Sequence, residues 1–184
     1  MNVLCFGDSN TYGFDPRSYL AGRYPADARW VDLLASKTGW YIQNYGLNGR
    51  EIPRSTIEIP QGTDLLTIML GGNDLLQGAD VATVVARMES FLTSLPLENH
   101  QILLIGPPKI RSGTWVPSQA LIDASIQLLE EYKHLAARLS IAYASTEEWD
   151  IPLCFDGVHF TEKGHHNFSD HLYHFLKAHW PEEF

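Results

Sequence analysis

Apolar runs that alternate along the chain with amphipathic segments are the feature that most constrains the fold. Val3–Phe6 and Leu65–Leu70 show no polar–apolar alternation, which is typical of strands buried on both faces of a sheet. Between such runs, apolar residues recur at helical spacing, as at Val81, Val84 and Met88. Helices that alternate with buried strands supply the crossover connections of a parallel sheet. We therefore predict an α/β fold, a three-layer α/β/α sandwich with a five-stranded parallel sheet.

The order of the predicted elements specifies this architecture further. The predicted strands are Val3–Phe6, Trp40–Tyr45, Leu65–Leu70, Gln101–Ile105 and Ile141–Ala144. A first helix is expected around Trp30–Leu34, and Asp80, Ser118 and Thr161 are expected to cap three longer helices. Five strands in such a parallel sheet indicate a flavodoxin-like fold. The length of 184 residues, without repeats or a clear linker, predicts a single domain over residues 1–184.

The acidic balance of the chain argues against several classes of partner. The formal net charge is −9 and the isoelectric point is about 5.2. Nucleic-acid phosphates and anionic lipid surfaces both attract basic faces, so we expect neither a nucleic-acid nor a membrane partner. No apolar stretch reaches the ~18 residues that span a bilayer, and no basic leader precedes the first strand. We therefore expect a cytoplasmic protein, whose oligomeric state the sequence does not indicate.

Three clusters rich in glycine, asparagine and aspartate each follow the carboxyl end of a predicted strand. They are Gly7–Asn10, Gly46–Gly49 and Gly71–Asp74. In open α/β sheets, ligands bind beyond the carboxyl ends of the strands. We therefore expect the three clusters to meet at one edge of the molecule, together with the later segment Asp156–His159.

The residues expected at this edge include every group that ester hydrolysis by serine requires. Ser9 directly follows a strand and is the candidate nucleophile. His159 is the candidate general base, because a histidine side chain is mostly neutral at pH 7 and can accept a proton. Asp156 lies three residues earlier, a spacing at which a tight turn brings its carboxylate to the imidazole. Asn73 supplies an uncharged N–H donor for a developing oxyanion.

Four sequence blocks resemble those of the SGNH (GDSL-type) hydrolases. The blocks are Phe6–Gly13 (FGDSNTYG), Gly46–Arg50 (GLNGR), Gly71–Asp74 (GGND) and Asp156–His159 (DGVH). A lone GDS motif is weakly specific, whereas four blocks in family order across most of the chain are strongly specific. The first block reads GDSN instead of GDSL, which resembles a branch that contains arylesterases and acyl-transferring esterases.

The resemblance implies roles for five residues and a class of substrate. It implies a catalytic triad of Ser9, Asp156 and His159, and an oxyanion hole formed by the backbone N–H groups of Ser9 and Gly49 and the amide of Asn73. Gly49 is preferred to Gly46 because Asn48-Gly49 matches the family's pair of a small residue and glycine. The implied substrate is a small-molecule carboxylic ester, and no cofactor or metal ion is implied. Because the loops are short and no apolar lid is evident, we expect short acyl groups, including those of acetylated carbohydrates.

Several other residues near the predicted site have largely structural interpretations. Asp8 and Asp74 are expected to accept backbone N–H bonds that shape their loops. Arg50 either pairs with a carboxylate or reaches a substrate anion, and the structural role is favoured. Trp115 lies in a loop after the fourth strand that contains proline and glycine, and it is a candidate substrate contact. Cys154 is close to the predicted base in sequence, but Ser9 is the better nucleophile.

Three alternative functions remain open from the residues alone. The first is a metal-dependent phosphoesterase, because two-metal sites use such ligand types. Its ligands would be Asp8, Asn73, Asp156 and His159. The second is a non-catalytic binding domain on the same sheet, although no phosphate-binding glycine-rich loop is present. The third is acyl transfer to an alcohol, a sugar or a peroxide.

The histidines of the last helix, including His171 and His174, have no matching ligand set and predict a solvated or partly buried face.

Overall fold

Five parallel strands form the central layer of the computed structural model, which describes residues 1–18 and 22–184. The strands are β1 (Asn2–Gly7), β2 (Tyr41–Gly46), β3 (Leu65–Met69), β4 (Ile102–Ile105) and β5 (Ala142–Ala144). They are arranged in the order β2-β1-β3-β4-β5, and every neighbouring pair is parallel. This is the flavodoxin-like order, so the predicted fold class is confirmed.

Helices pack on both faces of the sheet. In the described parts of the chain they are α1 (Ser9–Tyr12), α2 (Trp30–Thr38), α3 (Gly72–Leu76), α4 (Val81–Ser94), α5 (Gln119–Leu139) and α6 (Glu162–His179). The three predicted caps form as expected, because the side chains of Asp80, Ser118 and Thr161 each accept a backbone N–H three residues later. Short 3₁₀ turns occupy Ala26–Ala28, Asn99–Gln101 and Pro181–Glu183.

Two separate apolar cores cover the two faces of the sheet. Along β1, Leu4 and Phe6 belong to the core that contains α4 and α5, whereas Val3 and Cys5 belong to the core that contains α2 and α6. Successive side chains of a strand point to opposite faces, so a strand between two helical layers must be apolar at every position. The unpatterned run in the sequence is therefore the direct consequence of the three-layer architecture.

Two of the predicted turn clusters begin short helices. Gly7–Asn10 continues from β1 into α1, where the side chain of Asp8 accepts the Asn10 N–H at 2.9 Å. A Cβ built on Gly7 would lie 2.0 Å from Oγ1 of Thr11, so only glycine allows α1 to begin so close to the strand. Gly71–Asp74 continues in the same way from β3 into α3. This places Ser9 and Asn73 on backbone that is anchored directly to the two central strands.

Candidate active site

The register of the central strands brings the predicted clusters to one edge. Gly7, at the end of β1, lies opposite Gly46 of β2 and Met69 of β3, so the three strands end at the same level. A cavity of about 260 Å³ opens at this edge. It is lined by Ser9, Phe14, Asn48, Gly49, Asn73, Gln77, Trp115 and His159. The structure therefore brings together residues from five separate segments of the chain, as the sequence predicted for four of them.

Ser9, His159 and Asp156 form a continuous hydrogen-bonded line. The Ser9 hydroxyl lies 2.9 Å from Nε2 of His159 and can donate a hydrogen bond to it. Nδ1 of His159 lies 2.7 Å from Oδ2 of Asp156. All three residues are at least 95% buried, with exposed fractions of 5%, 1% and 1% for Ser9, Asp156 and His159. With Nδ1 protonated, Nε2 is free to accept the serine proton, which is the arrangement that a general base requires.

Asp156 holds both the imidazole and the backbone of its own loop. Its Oδ1 accepts the N–H groups of Val158 at 2.9 Å and His159 at 3.0 Å, while Oδ2 faces the ring. Burial alone would raise the pKa of Asp156, but the hydrogen bonds from the His159 ring and from the two backbone N–H groups outweigh burial and lower it. The carboxylate therefore stays ionised while it orients the imidazole.

Asn10, a residue to which the sequence assigned no role, ties the Ser9 helix to the histidine loop. Its Nδ2 donates to the carbonyl of Val158 at 3.1 Å, and its Oδ1 accepts the N–H of Phe160 at 2.9 Å. The two bonded residues, Val158 and Phe160, precede and follow His159 in the sequence. The bonds therefore hold His159 at a fixed position relative to Ser9. The only signal in the sequence is the amide that follows the serine in the GDSN block.

The candidate oxyanion donors differ in whether their N–H groups are already used. The N–H of Gly46 donates to Oδ1 of Asn44 at 2.9 Å, so it is occupied. Gly49 has a φ of +71°, lines the cavity, and has no acceptor for its N–H within the described part of the chain. Nδ2 of Asn73 donates one hydrogen to the carbonyl of Arg50 at 3.1 Å, which leaves its second hydrogen for the cavity. The geometry favours Gly49 over Gly46 as a donor.

Asp8 and Asp74, the two carboxylates expected to shape the loops near the cavity, both accept backbone N–H groups. Burial raises the pKa of Asp8 to about 6, and Asp74 is fully buried and accepts the Ile52 N–H at 3.1 Å. Arg50 forms no ion pair with a carboxylate among the described residues, and its guanidinium has a structural role instead. Its guanidinium donates to the carbonyl of Gly7 at 3.0 Å and lies 4.1 Å from the centre of the Phe6 ring. The Arg50 guanidinium thus donates to backbone carbonyl groups at the ends of β1 and β2.

Two aromatic rings enclose the imidazole of His159. The Phe14 ring lies 4.7 Å from it and the Trp115 ring lies 5.0 Å from it, measured between ring centres. Trp115 is 52% exposed and lines the cavity, which is the location expected of a substrate contact. Phe14 is one of several aromatic residues close to the GDSN block and the other predicted site segments, and the sequence alone does not distinguish the pocket-lining rings from the core rings.

The side chains that could support other chemistry are arranged unfavourably for it. Throughout residues 1–18 and 22–184, no group of three or more His, Cys, Asp or Glu side chains could hold a metal ion. Cys154 is buried, its Sγ donates to the carbonyl of Phe160 at 3.3 Å, and burial raises the pKa of its thiol. Both cysteines are free. Of the late histidines, His165 is fully buried, and His171 stacks on Trp149.

A helix that crosses a bilayer must be both long and apolar. None of the described helices combines the length and the apolar character needed to cross a bilayer.

A family model matches almost the entire sequence. Residues 5–166 match the GDSL-like lipase/acylhydrolase family, and the resemblance seen in the four sequence blocks is thereby confirmed. Among curated proteins, none matches the chain.

Solved structures of similar fold include two esterases. A carbohydrate acetylesterase family member from Sinorhizobium meliloti is 21% identical, with a TM-score of 0.82, and the match covers 98% of this chain and 100% of that one. The aryl esterase of M. smegmatis is 22% identical, with a TM-score of 0.79 and coverage of 96% and 98%. A lipolytic G-D-S-L family protein from Veillonella parvula is 22% identical, with a TM-score of 0.70 and coverage of 93% and 95%. At these identities the similarity shows the shared fold.

Proposed function

Since this chain belongs to the GDSL-like lipase/acylhydrolase family, we propose that it hydrolyses small carboxylic esters through an acyl-enzyme intermediate on Ser9. The observation that carries the proposal is the buried line from the Ser9 hydroxyl through His159 to Asp156, with separations of 2.9 and 2.7 Å. It lies beside a cavity that also contains Gly49 and Asn73. Nucleophile, base, acid and N–H donors are thus within reach of one bound carbonyl group.

Acylation begins with attack of Oγ of Ser9 on the ester carbonyl carbon. As the new C–O bond forms, the hydroxyl proton passes to Nε2 of His159, and Asp156 stabilises the imidazolium. The carbonyl oxygen becomes an oxyanion that accepts hydrogen bonds from the N–H groups of Ser9 and Gly49 and from the amide of Asn73. Collapse of this intermediate breaks the ester C–O bond, and the alcohol leaves with the proton from His159.

Deacylation repeats the same steps with water as the nucleophile. His159 takes a proton from water, the hydroxide oxygen attacks the acyl carbon, and the same donors hold the second oxyanion. The bond to Oγ of Ser9 then breaks, the proton returns to Oγ, and the carboxylic acid leaves. The resting hydrogen-bonded line is restored without any change in net proton content.

The size of the cavity supports a short acyl group. Its volume of about 260 Å³ lies below the roughly 300–1,000 Å³ of pockets that hold drug-sized ligands. Trp115 is the proposed substrate contact, since its exposed ring forms part of the cavity wall beside His159. Esters of acetate and similar short acids, including sugar acetates, are the proposed substrates. The carbohydrate acetylesterase with the same fold supports the choice of sugar acetates as test compounds.

Acyl transfer is proposed as a side activity of the same acyl-enzyme. The apolar rings of Phe14 and Trp115 line the cavity on either side of His159, and the Trp115 ring is 52% exposed. Apolar surface at this position would favour an alcohol over water next to the acyl group. With a competing alcohol present, the new ester should accumulate in proportion to the alcohol concentration. Detection of the free acid alone would contradict this part of the proposal.

The central test compares the protein with its Ser9→Ala variant on p-nitrophenyl acetate. We expect Ser9-dependent hydrolysis that survives EDTA, and covalent labelling of Ser9 by an organophosphorus probe. Thr93→Ala removes a hydroxyl from an exposed position of α4 and serves as the matched control, with unchanged activity. Equal turnover by the parent and Ser9→Ala would refute the proposal, and loss of activity in EDTA would favour the metal-dependent alternative.

A series of p-nitrophenyl esters tests the proposed limit on the length of the acyl group. We expect kcat/KM to be highest for acetate or propionate and to fall as the acyl chain lengthens, because a longer chain does not fit the cavity. A parallel series of sugar acetates reports the alcohol preference. Faster hydrolysis of long-chain esters than of acetate would contradict a small acyl pocket.

A further inference from the structure

We propose that Arg87, a residue outside the cavity, is a positioning residue for the candidate oxyanion donors Gly49 and Asn73. The inference rests on the proposed function, because it concerns the N–H groups that would hold the oxyanion. Arg87 belongs to α4 and does not line the cavity that contains Ser9. It acts through a fully buried carboxylate, Asp74, which is the neighbour of Asn73 in sequence.

The two donors come from separate segments that are joined at two adjacent points. Gly49 belongs to the segment after β2, and Asn73 belongs to α3. Nδ2 of Asn73 donates to the carbonyl of Arg50 at 3.1 Å, and Oδ2 of Asp74 accepts the N–H of Ile52 at 3.1 Å. On one side, the two bonds are made by Arg50 and Ile52, which lie one and three residues after Gly49. On the other side, they are made by Asn73 and its neighbour Asp74. The two bonds therefore fix the separation of Gly49 and Asn73.

Arg87 holds the carboxylate that makes the second of these bonds. Its Nη1 lies 2.8 Å from Oδ1 of Asp74 and 3.6 Å from Oε2 of Glu51. Asp74 therefore has one oxygen on the guanidinium and the other on the backbone of Ile52. The exposed fraction of the Asp74 side chain is 0%, so its charge depends on Arg87 for compensation. Glu51 places a second carboxylate from the Gly49 segment against the same guanidinium.

The helix that carries Arg87 is a rigid support. α4 has 14 residues, its amino end is capped by Asp80, and Val84, Met88 and Phe91 anchor it in the core. Without the guanidinium, Oδ1 of the buried carboxylate loses its partner, the side chain is free to turn, and the bond to Ile52 weakens. The two donors then no longer converge on one oxygen. A displacement of about 1 Å at a reacting group can lower the rate on the order of 100-fold.

The expected effect of Arg87→Met is a fall of about 10- to 100-fold in kcat for p-nitrophenyl acetate. The apparent pKa of the acid limb of the kcat/KM profile should stay that of the parent, because the bonds of His159 to Ser9 and Asp156 are untouched. Arg87→Lys should fall by only about fivefold, because an ammonium group keeps the charge but loses the planar donor geometry. Arg138→Met, which breaks an exposed pair with Glu89, is the matched control and should keep the activity of the parent.

Coupling to Asn73 separates positioning from a general loss of stability. Asn73→Ala removes one donor, which should itself cost about 100- to 1,000-fold. In the Asn73→Ala background one of the two donors is already absent, so their relative position affects the rate less. Arg87→Met should therefore lower kcat by a several-fold smaller factor there than it does in the parent. Each variant is assayed well below its own melting temperature, with its folded fraction measured by circular dichroism. A variant that only unfolds the protein would lower activity equally in both backgrounds.

The outcomes distinguish this inference from the proposed function. If the parent shows no Ser9-dependent hydrolysis, the proposed function fails. If the parent is active and folded Arg87→Met keeps its kcat within twofold, or if its loss is equal in the two backgrounds, the positioning role is refuted. Should Arg87→Met not fold, Arg87→Lys decides, because a kcat within twofold of the parent would refute the role.

Discussion

At the scale of the residue, Asp156 shows how one carboxylate can serve both folding and chemistry. Its Oδ1 closes the loop through two backbone N–H groups, and its Oδ2 sets the tautomer of His159. The sequence spacing predicted the contact with the ring, because three residues allow a tight turn. The structure shows that the same side chain also accepts the backbone N–H groups of its own turn.

Replacement of Asp156 by asparagine should separate these two roles. In Asp156→Asn the amide oxygen can still accept the backbone N–H groups, but the amide nitrogen would donate to Nδ1 of His159. The imidazole would then carry its proton on Nε2 and could not accept the proton of Ser9. We expect kcat to fall on the order of 10⁴-fold, by analogy with the same substitution in a serine protease triad, with little change in melting temperature.

A matched carboxamide substitution provides the control for that experiment. Asp123→Asn changes an exposed carboxylate of α5 that pairs with Gln119, and it should leave kcat unchanged. A fall of less than tenfold for Asp156→Asn would show that the carboxylate does not govern the tautomer of the base.

Residue-level patterns predicted Ser9, Asp156, His159 and Asn73 as site candidates, whereas the preference for Gly49 over Gly46 came only from the family resemblance and had no physical reason in the sequence. The ranking depends on which N–H group is already bonded, and Asn44 takes that of Gly46. Neither the partner nor the bond leaves a mark in the local sequence. The double contact of Asn10 escaped prediction for the same reason, since its partners lie 148 and 150 positions away in the chain.

At the scale of the element, the loop after β4 braces the loop that carries the acid and the base. The N–H groups of Arg111 and Trp115 donate to the carbonyls of Gly157 and Asp156 at 3.0 and 3.1 Å. The Arg111 guanidinium donates to the carbonyl of Cys154 at 3.2 Å. The same loop carries the Trp115 ring that contacts His159, so it joins the candidate substrate wall to the proton-transfer machinery.

The close approach of these two loops depends on Gly113. A Cβ built there would lie 2.3 Å from the carbonyl carbon of Asp156, which is backbone and cannot move aside alone. Gly113→Ala should therefore push Asp156 out of line and lower kcat on the order of tenfold or more. Assays of kcat and of the pH dependence of kcat/KM would reveal the change.

Gly62→Ala is the corresponding control, since it adds the same methyl group where nothing lies within 4 Å. Its φ of +81° makes some loss of stability expected, but Gly62 precedes β3 at the opposite end of the strands from the cavity. Normal kcat in Gly113→Ala would show that the brace does not set the position of Asp156.

Elements were predictable where side chains report them. The strands leave apolar runs, and three of the longer helices leave caps at Asp80, Ser118 and Thr161. Helices α1 and α3 contain only four and five residues, which is too short for a helical period to be recognised. The brace between the two loops uses mostly backbone groups, which every residue type except proline can provide, so no sequence pattern announces it.

At the scale of the whole molecule, the stability of the fold should depend on pH through His165. This residue is fully buried, its Nδ1 accepts the Trp30 N–H at 3.4 Å, and its ring touches Tyr24 and Phe160. Burial, reinforced by nearby positive groups, lowers the pKa of His165 from 6.5 to about 3. Between these two values the unfolded chain binds a proton at this site and the folded protein does not. Acidification through this range therefore favours unfolding.

The expected contribution is a loss of about 1.4 kcal/mol in the free energy of unfolding per pH unit within this window. His165→Asn keeps an acceptor for Trp30 but does not titrate, so its stability should decline less steeply towards acid. Urea denaturation at several pH values between 6.5 and about 4 measures both slopes. The comparison is needed because the raised pKa of Asp8, about 6, contributes with the opposite sign.

His100→Asn, at an exposed position, provides the control and should retain the slope of the parent. Identical slopes for the parent and His165→Asn would show that the buried imidazole does not contribute to acid sensitivity.

The bonds of Asn10 to Val158 and Phe160 join the first strand–helix junction to a loop that precedes the last helix. During synthesis, the serine leaves the ribosome long before its histidine partner exists. In a nascent chain the Ser9 hydroxyl would thus be unreactive until the segment that carries His159 packs against α1. Ester cleavage would begin only when these two distant segments are in contact. Recovery of turnover after dilution from denaturant should therefore track completion of the tertiary structure rather than the earlier appearance of helices.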